Sequence, residues 1–213
     1  MIFKVILLLC VGYLFGSIPC GYIAGKFRKI DLQKEGFKKI GASNVYKTIG
    51  FLPAILVFFA DFIKGIIPLF IGASLGIPEN ITVFGGLFAI IGHNWSIWLK
   101  FKGEGRGVAT STGLVYYLLT REVVYLLPLL IILSAIMKST ALPVFICFLL
   151  VPVLGWLLNE NLWLIYSGGL IFVLLVIARL TGIFKVSKGK RRRAILSLLF
   201  FDSQACKIKN TGL

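Results

Sequence analysis

Long apolar runs alternate with short polar breaks along this chain. The apolar segments fall at roughly 2–25, 51–76, 81–99, 107–119, 123–137, 141–158 and 162–180. A run of ~18 or more residues is long enough to cross hydrocarbon as a helix. The fourth and fifth segments are shorter and are divided only by Thr120, Arg121 and Glu122, so a single bent or re-entrant pair is the alternative there. The first run follows Lys4 and has the outline of a signal peptide. It continues through Gly16-Ser17-Ile18-Pro19 without a small-residue cleavage pattern, and reads as the first span. The expected fold is all-α: a polytopic integral membrane helical bundle of about seven transmembrane helices, residues 1–184 forming one transmembrane domain and 185–213 a basic tail.

The polar breaks orient this bundle. With the N-terminus outside, the inner segments are 26–50, 100–106, the turn at Lys138 and the tail from Arg179, and they hold 20 of the 23 basic residues; the exceptions are Lys4, Lys64 and Arg121. That is the positive-inside pattern, with the C-terminus cytoplasmic. It also accounts for a net charge of +15, which in a soluble chain would suggest nucleic acid. Only 15% of residues are charged, against about 25% for a soluble domain. A soluble enzyme, a disordered chain and a nucleic-acid-binding domain are thereby excluded. The basic cluster Lys185–Arg193, followed by apolar residues 194–201, suits a segment lying on an anionic leaflet, as a topogenic anchor or a lipid-head contact. Cys10, Cys20, Cys147 and Cys206 lack metal-ligand spacing, and no metal or cofactor is expected.

Two inner loops carry candidate chemistry. Residues 31–50 combine Gly36, Gly41 and Gly50 with Ser43, Asn44, Lys38, Lys39 and Lys47; exposed amides, hydroxyls and ammonium groups suit a phosphate, although a hydrophilic connector explains the composition equally. Residues 101–107 alternate Gly103, Gly105 and Gly107 with Lys102, Glu104 and Arg106 and then open into a helix, the form of an anion cradle. Inside or beside the apolar runs, Asp61 and Lys64 share a helix face at i, i+3, and His93 and Asn94 lie in the middle of the third segment. Intramembrane polar groups default to function, with a neutralised pair and a helix–helix hydrogen bond as the structural readings. Gly16, Ser17, Pro19 and Gly21 interrupt the first span, which is tolerated only where freed backbone is buried in protein or lines a cavity.

At these residues the chain resembles the acyl-phosphate-dependent glycerol-3-phosphate acyltransferases, the PlsY family. Gly16-Ser17-Ile18-Pro19 with Gly21-Tyr22 is similar to the first family motif, and Asp31 through Gly50 to the second, best at Gly41-Ala42-Ser43-Asn44-Val45. Asp61-Phe62-Ile63-Lys64-Gly65 follows, and Gly92-His93 through Phe101 with Gly105-Arg106-Gly107-Val108-Ala109-Thr110 is similar to the third. The resemblance covers about residues 12–113.

It implies a membrane enzyme moving a fatty acyl group from acyl phosphate to the 1-hydroxyl of glycerol 3-phosphate, in phospholipid synthesis at the inner (cytoplasmic) membrane, with its site facing the cytoplasm. Membrane lipids are the other partners, and neither metal, acyl-CoA nor a carrier protein takes part. Carried onto this chain, Gly41, Ser43, Asn44, Lys47 and Lys64 would serve the acceptor, Lys102, Gly105, Arg106 and Gly107 the donor, and Ser17 would be a further substrate-binding residue. His93, Asn94 and Asn44 would orient the reacting groups, and Ser139 would align with a family serine. The chain departs from the family where Phe37 follows Gly36 in place of a serine, where Lys47 replaces an arginine and Ser43 a threonine, and where the third loop is one residue longer, at Glu104. A diverged member that binds lipid or a partner, or a small-solute transporter built around Asp61 and Lys64, are the alternatives.

Overall fold

The computed structural model describes residues 1–101 and 105–184, and side chains to Thr181. The described residues form nine α-helices and one 3-10 turn, without strands. They are α1 (Ile2–Ser17), α2 (Cys20–Phe27), α3 (Ala42–Thr48), α4 (Phe51–Ser74), α5 (Glu79–Asn94), the turn Ile97–Leu99, α6 (Val108–Leu118), α7 (Thr120–Met137), α8 (Ala141–Leu157) and α9 (Leu162–Phe184). Every apolar segment expected from the sequence is helical. Five helical stretches, Ile2–Phe27, Phe51–Ser74, Glu79–Leu99, Thr120–Met137 and Leu162–Thr181, are long and apolar enough to cross a membrane; Ala141–Leu157 is shorter.

The fourth segment differs from the others. Its helix, α6, has 11 residues. At ~1.5 Å rise per residue it reaches about 16 Å, roughly half the ~30 Å of hydrocarbon. It meets α7 at a single bent residue, Leu119. A half-length helix with exposed ends would be costly in lipid, but this one buries Thr110, Ser111, Gly113, Leu114 and Val115 against its neighbours and leaves Tyr116 and Tyr117 exposed. Leu114, Val115 and Leu119 belong to the main core with Leu69, Ile90, Val151, Ile171 and Leu175 from α4, α5, α8 and α9.

Helices α1 and α5 cross at a seam of small residues. Gly12 and Gly16 on α1 face Gly85 and Ala89 on α5, and a side-chain carbon added at Gly12 or Gly16 would collide with the opposing backbone. Small residues four apart on both helices are what close apposition of membrane helices requires.

The first apolar run is broken at Ile18–Pro19, and the carbonyls freed there are taken up by protein. The Ser17 carbonyl accepts the Ser96 hydroxyl and the Ile18 carbonyl accepts the Lys64 ammonium. Tyr13 Oη donates to the Trp95 carbonyl at 2.9 Å. The break between α1 and α2 is thus tied to α4 and to the end of α5, which carry Asp61, Lys64, His93 and Asn94. The basic tail, 185–213, lies outside the described residues.

Candidate active site

Asp61 and Lys64, one helical turn apart on α4, form a buried ion pair at 2.6 Å. Their side chains are 3% and 2% exposed, so neither charge could be tolerated alone. His93 Nδ1 approaches the same carboxylate oxygen at 3.5 Å. A single oxygen of Asp61 thereby joins α4 to the end of α5, and Lys64 carries the link to the break at Ile18. The charge pair of the transporter alternative is satisfied inside the protein.

The loop 28–41 and α3 are organised by Asn44. Its carboxamide oxygen accepts the Phe37 amide, and its nitrogen donates to the carbonyls of Leu32, Glu35 and Lys39 at 2.7–3.1 Å. Leu32, Ile40, Val45, Ala54 and Val57 form a small apolar core beneath this loop. Lys47 follows on α3, and its ammonium stands 4.1 Å from the centre of the Phe37 ring. The residue that departs from the family pattern therefore covers the nearest lysine by a cation–π contact.

In the third loop, Gly105 lies against the His93 ring and Gly107 against the Asn94 amide; a side-chain carbon at Gly107 would stand 2.9 Å from both polar atoms of Asn94. Gly107 also has φ +66, a left-handed conformation that glycine adopts without cost. Alternating glycines let the loop drop onto the end of α5 and open α6 directly above Asn94. Asn94, Thr110 and Ser111 are buried, and their side-chain polar atoms have no hydrogen-bond partner among the described residues. The first amides of α6, which have no acceptor within the helix, lie at the same point.

Between these parts opens a cleft of about 320 Å³. Its polar lining comes from all four segments expected on the inner side: Lys39 and Ser43 from 26–50, Arg106 from 100–106, Thr140 beside Lys138, and Arg179 from α9. Asp61 and His93 reach it from α4 and α5, and Phe58, Val108 and Val144 supply apolar wall. A second, apolar cavity of about 70 Å³ lies between α6, α7 and α8, lined by Thr112, Val115, Leu126, Cys147, Phe148 and Val151 among others. Val108, Thr112 and Val115 fall on one face of α6, and Val144, Phe148 and Val151 on one face of α8, so the two spaces follow one another down the same pair of helices.

Of the site residues expected from sequence, the structure brings Gly41, Ser43, His93, Arg106 and Gly107 to the cleft. Gly105 supports it through His93. The others face elsewhere. Ser17 is buried and donates to the Tyr13 carbonyl at 2.8 Å. Asn44 is spent on its loop, Lys47 on Phe37, and Lys64 on Asp61 and Ile18. Asn94 lies beneath Gly107, and Ser139 accepts the Ala141 amide at 3.3 Å at the start of α8. Lys102 and Glu104 lie outside the described residues. Sequence reasoning placed Lys39 in a candidate phosphate loop without giving it a role of its own, and missed Thr140 and Arg179 as cleft residues. Their only signal was membership of the inner segments, which they share with many other lysines and arginines.

The family model described as Glycerol-3-phosphate acyltransferase matches residues 6–189. A relative from Dehalococcoides mccartyi (strain CBDB1), Glycerol-3-phosphate acyltransferase 2, is 36% identical over 174 residues, 81% of this chain and 80% of the relative. One from Trichlorobacter lovleyi, Glycerol-3-phosphate acyltransferase, is 33% identical over 177 residues, 83% and 91% of the two chains. Among solved structures, the glycerol 3-phosphate form of PlsY (YgiH), an integral membrane glycerol 3-phosphate acyltransferase, superposes with a TM-score of 0.78 at 25% identity, over 92% of this chain and 94% of that one. A half-length helix packed into the core of a membrane bundle, a basic cleft walled by all four segments expected on the inner side, and relatives matched over most of their length agree: this chain belongs to the glycerol-3-phosphate acyltransferase family and is an integral membrane acyltransferase of phospholipid synthesis.

Proposed function

We propose that this protein takes its acyl group from acyl phosphate and passes it to the 1-hydroxyl of glycerol 3-phosphate, with the cleft opening to the cytoplasm, the N-terminus outside and the bundle in the inner membrane. The observation that carries this reading is the cleft itself. A basic chamber wide enough for small phosphate-bearing groups stands next to an apolar cavity that shares α6 and α8 with it, which we read as the course of an apolar passage. A polar acceptor needs the first, and a fatty acyl chain the second.

An acyl phosphate is a mixed anhydride and needs little further activation. The enzyme's task is to hold two anionic substrates together with the hydroxyl near attack distance, and such positioning supplies a large part of a rate enhancement. Lys39, Arg106 and Arg179 offset the repulsion between the phosphates. Gly41 and Ser43 stand on the acceptor side. Arg106, Gly107 and the first amides of α6 stand on the donor side, where a helix N-terminus favours an anion. Asn94 beneath Gly107 adds a buried amide to that point, and His93, held by Asp61, faces the space between the two substrates. The hydroxyl oxygen bonds to the carbonyl carbon, the carbon–oxygen bond to the phosphate breaks, and the hydroxyl proton passes to the departing phosphate. The products are 1-acylglycerol 3-phosphate and inorganic phosphate.

The test is to purify the protein in lipid, supply palmitoyl phosphate and glycerol 3-phosphate, and follow phosphate release with lysophosphatidate formation, using Arg106→Ala as control. Lysophosphatidate that disappears in the control supports the reading. Donor consumption without acylated acceptor would show a different acceptor, and inactivity of well-folded protein would refute catalysis by this chain.

A further inference from the structure

The wall of the cleft formed by α8 and α9 lies outside the sequence motifs that mark the rest of the site. It consists of Thr140, Ala141, Val144 and Arg179. Arg179 belongs to the last apolar stretch, Leu162–Thr181, and is 6% exposed. A guanidinium in such a segment is expensive and calls for a task.

Its placement is specific. The guanidinium carbon lies 4.5 Å from the centre of the Phe145 ring, and Nη1 donates to the Ala141 carbonyl at 3.4 Å. Phe145 is itself met edge-on by Phe172, two turns before Arg179 on α9, with ring centres 5.9 Å apart. Lying flat on an aromatic ring suits the planar arginine head better than a lysine ammonium. The side chain is pinned to the wall where the cleft becomes apolar: Val144 lies one turn below Ala141 on α8, and from Val144 the same face runs through Phe148 to Val151 along the apolar passage.

A fatty chain lying in that passage has its head at the level of Val108 and Val144. Arg106 and the start of α6 line the cleft there, and Arg179 lines it from α9. The loop carrying Lys39 and Ser43 also lines the cleft.

We infer that Arg179 is a specificity-determining contact for the lipid donor: it binds the phosphate head of a single-chain acyl phosphate from the α9 side. This inference rests on the acyl-phosphate reading of the cleft.

The experiment uses the full chain in lipid nanodiscs, with Arg179→Met and Arg179→Lys variants. It measures KM for palmitoyl phosphate, KM for glycerol 3-phosphate, and inhibition by hexadecyl phosphate, which has the same head and chain but no carbonyl to transfer. Losing one charge-assisted contact should raise the donor KM and the hexadecyl phosphate inhibition constant of Arg179→Met by about tenfold or more, leaving the glycerol 3-phosphate KM in place. Arg179→Lys should recover part of the loss, and added methylguanidinium should restore Arg179→Met. A rise confined to the glycerol 3-phosphate KM would make Arg179 an acceptor contact and overturn the inference. So would a fall in kcat or in melting temperature with both KM values and the inhibition constant unchanged, which marks a structural role. In either case wild-type turnover of palmitoyl phosphate leaves the reading of the cleft standing. Wild-type protein that neither consumes palmitoyl phosphate nor binds hexadecyl phosphate would overturn both.

Discussion

Lys64 separates two accounts of the site. A substrate lysine and a structural lysine give opposite results when the charge is removed, and the contacts Lys64 makes favour the structural role. Its ammonium is 2.6 Å from Asp61, both side chains are almost fully buried, and its other partner is the Ile18 carbonyl at the break between α1 and α2. Replacing Lys64 by Met keeps the apolar stem and leaves the Asp61 carboxylate with His93 at 3.5 Å as its nearest basic group. Breaking a buried pair in this way costs ~3–5 kcal/mol because a charge is left uncompensated. For a domain of this size that corresponds to a melting temperature lower by roughly 6–20 °C. The double variant Asp61→Asn, Lys64→Met removes both charges and should regain most of the loss, so the double-mutant cycle should show strong coupling. The assay is thermal unfolding in detergent, paired with KM for glycerol 3-phosphate on the folded fraction. The expected outcome is a large stability defect in Lys64→Met, rescue in the double variant and an unchanged KM. A Lys64→Met protein that melts like wild type but binds glycerol 3-phosphate many-fold more weakly would refute the reasoning and return Lys64 to the substrate.

Two further substitutions test the loops. Asn44→Ala removes the acceptor of the Phe37 amide and the donor to three carbonyls at once; at ~1 kcal/mol net per hydrogen bond the loop should lose a few kcal/mol, seen as faster proteolysis between residues 31 and 41 and a higher acceptor KM, whereas unchanged proteolysis would show that Asn44 does not organise the loop. Gly107→Ala places a carbon 2.9 Å from the Asn94 amide in a left-handed residue; the conformation alone costs ~1–2 kcal/mol, and the donor KM should rise more than the acceptor KM, an equal rise in both arguing against a donor cradle at α6.

The helices were readable from sequence because their cause is local. Each apolar run commits its own backbone to internal hydrogen bonds, whatever surrounds it. The Asp61–Lys64 pair was readable for the same reason, since i, i+3 spacing puts two side chains on one helix face without reference to any other element. Gly105 and Gly107 read in the sequence as an anion cradle, and nothing local said that His93 and Asn94 would lie against them. The seam of Gly12 and Gly16 against Gly85 and Ala89 carried a sequence signal, small residues four apart, that says two helices touch but not which two.

Charge patterning assigned the inner segments as a group, and those segments do converge on one cleft. It could not say which cations enter it. Lys39 and Arg179 face the cleft while Lys47 is stacked on Phe37 and Lys64 is paired with Asp61. The difference depends on neighbours distant in the chain: Phe145 beneath Arg179, Phe37 over Lys47, and Ile18 at the tip of Lys64. By itself the sequence determined an all-helical membrane bundle, its internal pairings within one helix and the grouping of its basic segments, because hydrophobic length and helical period act locally. Only the tertiary structure decided that α6 is a half-length helix packed into the core and which polar side chains line the cleft, because those outcomes depend on packing between helices far apart in sequence.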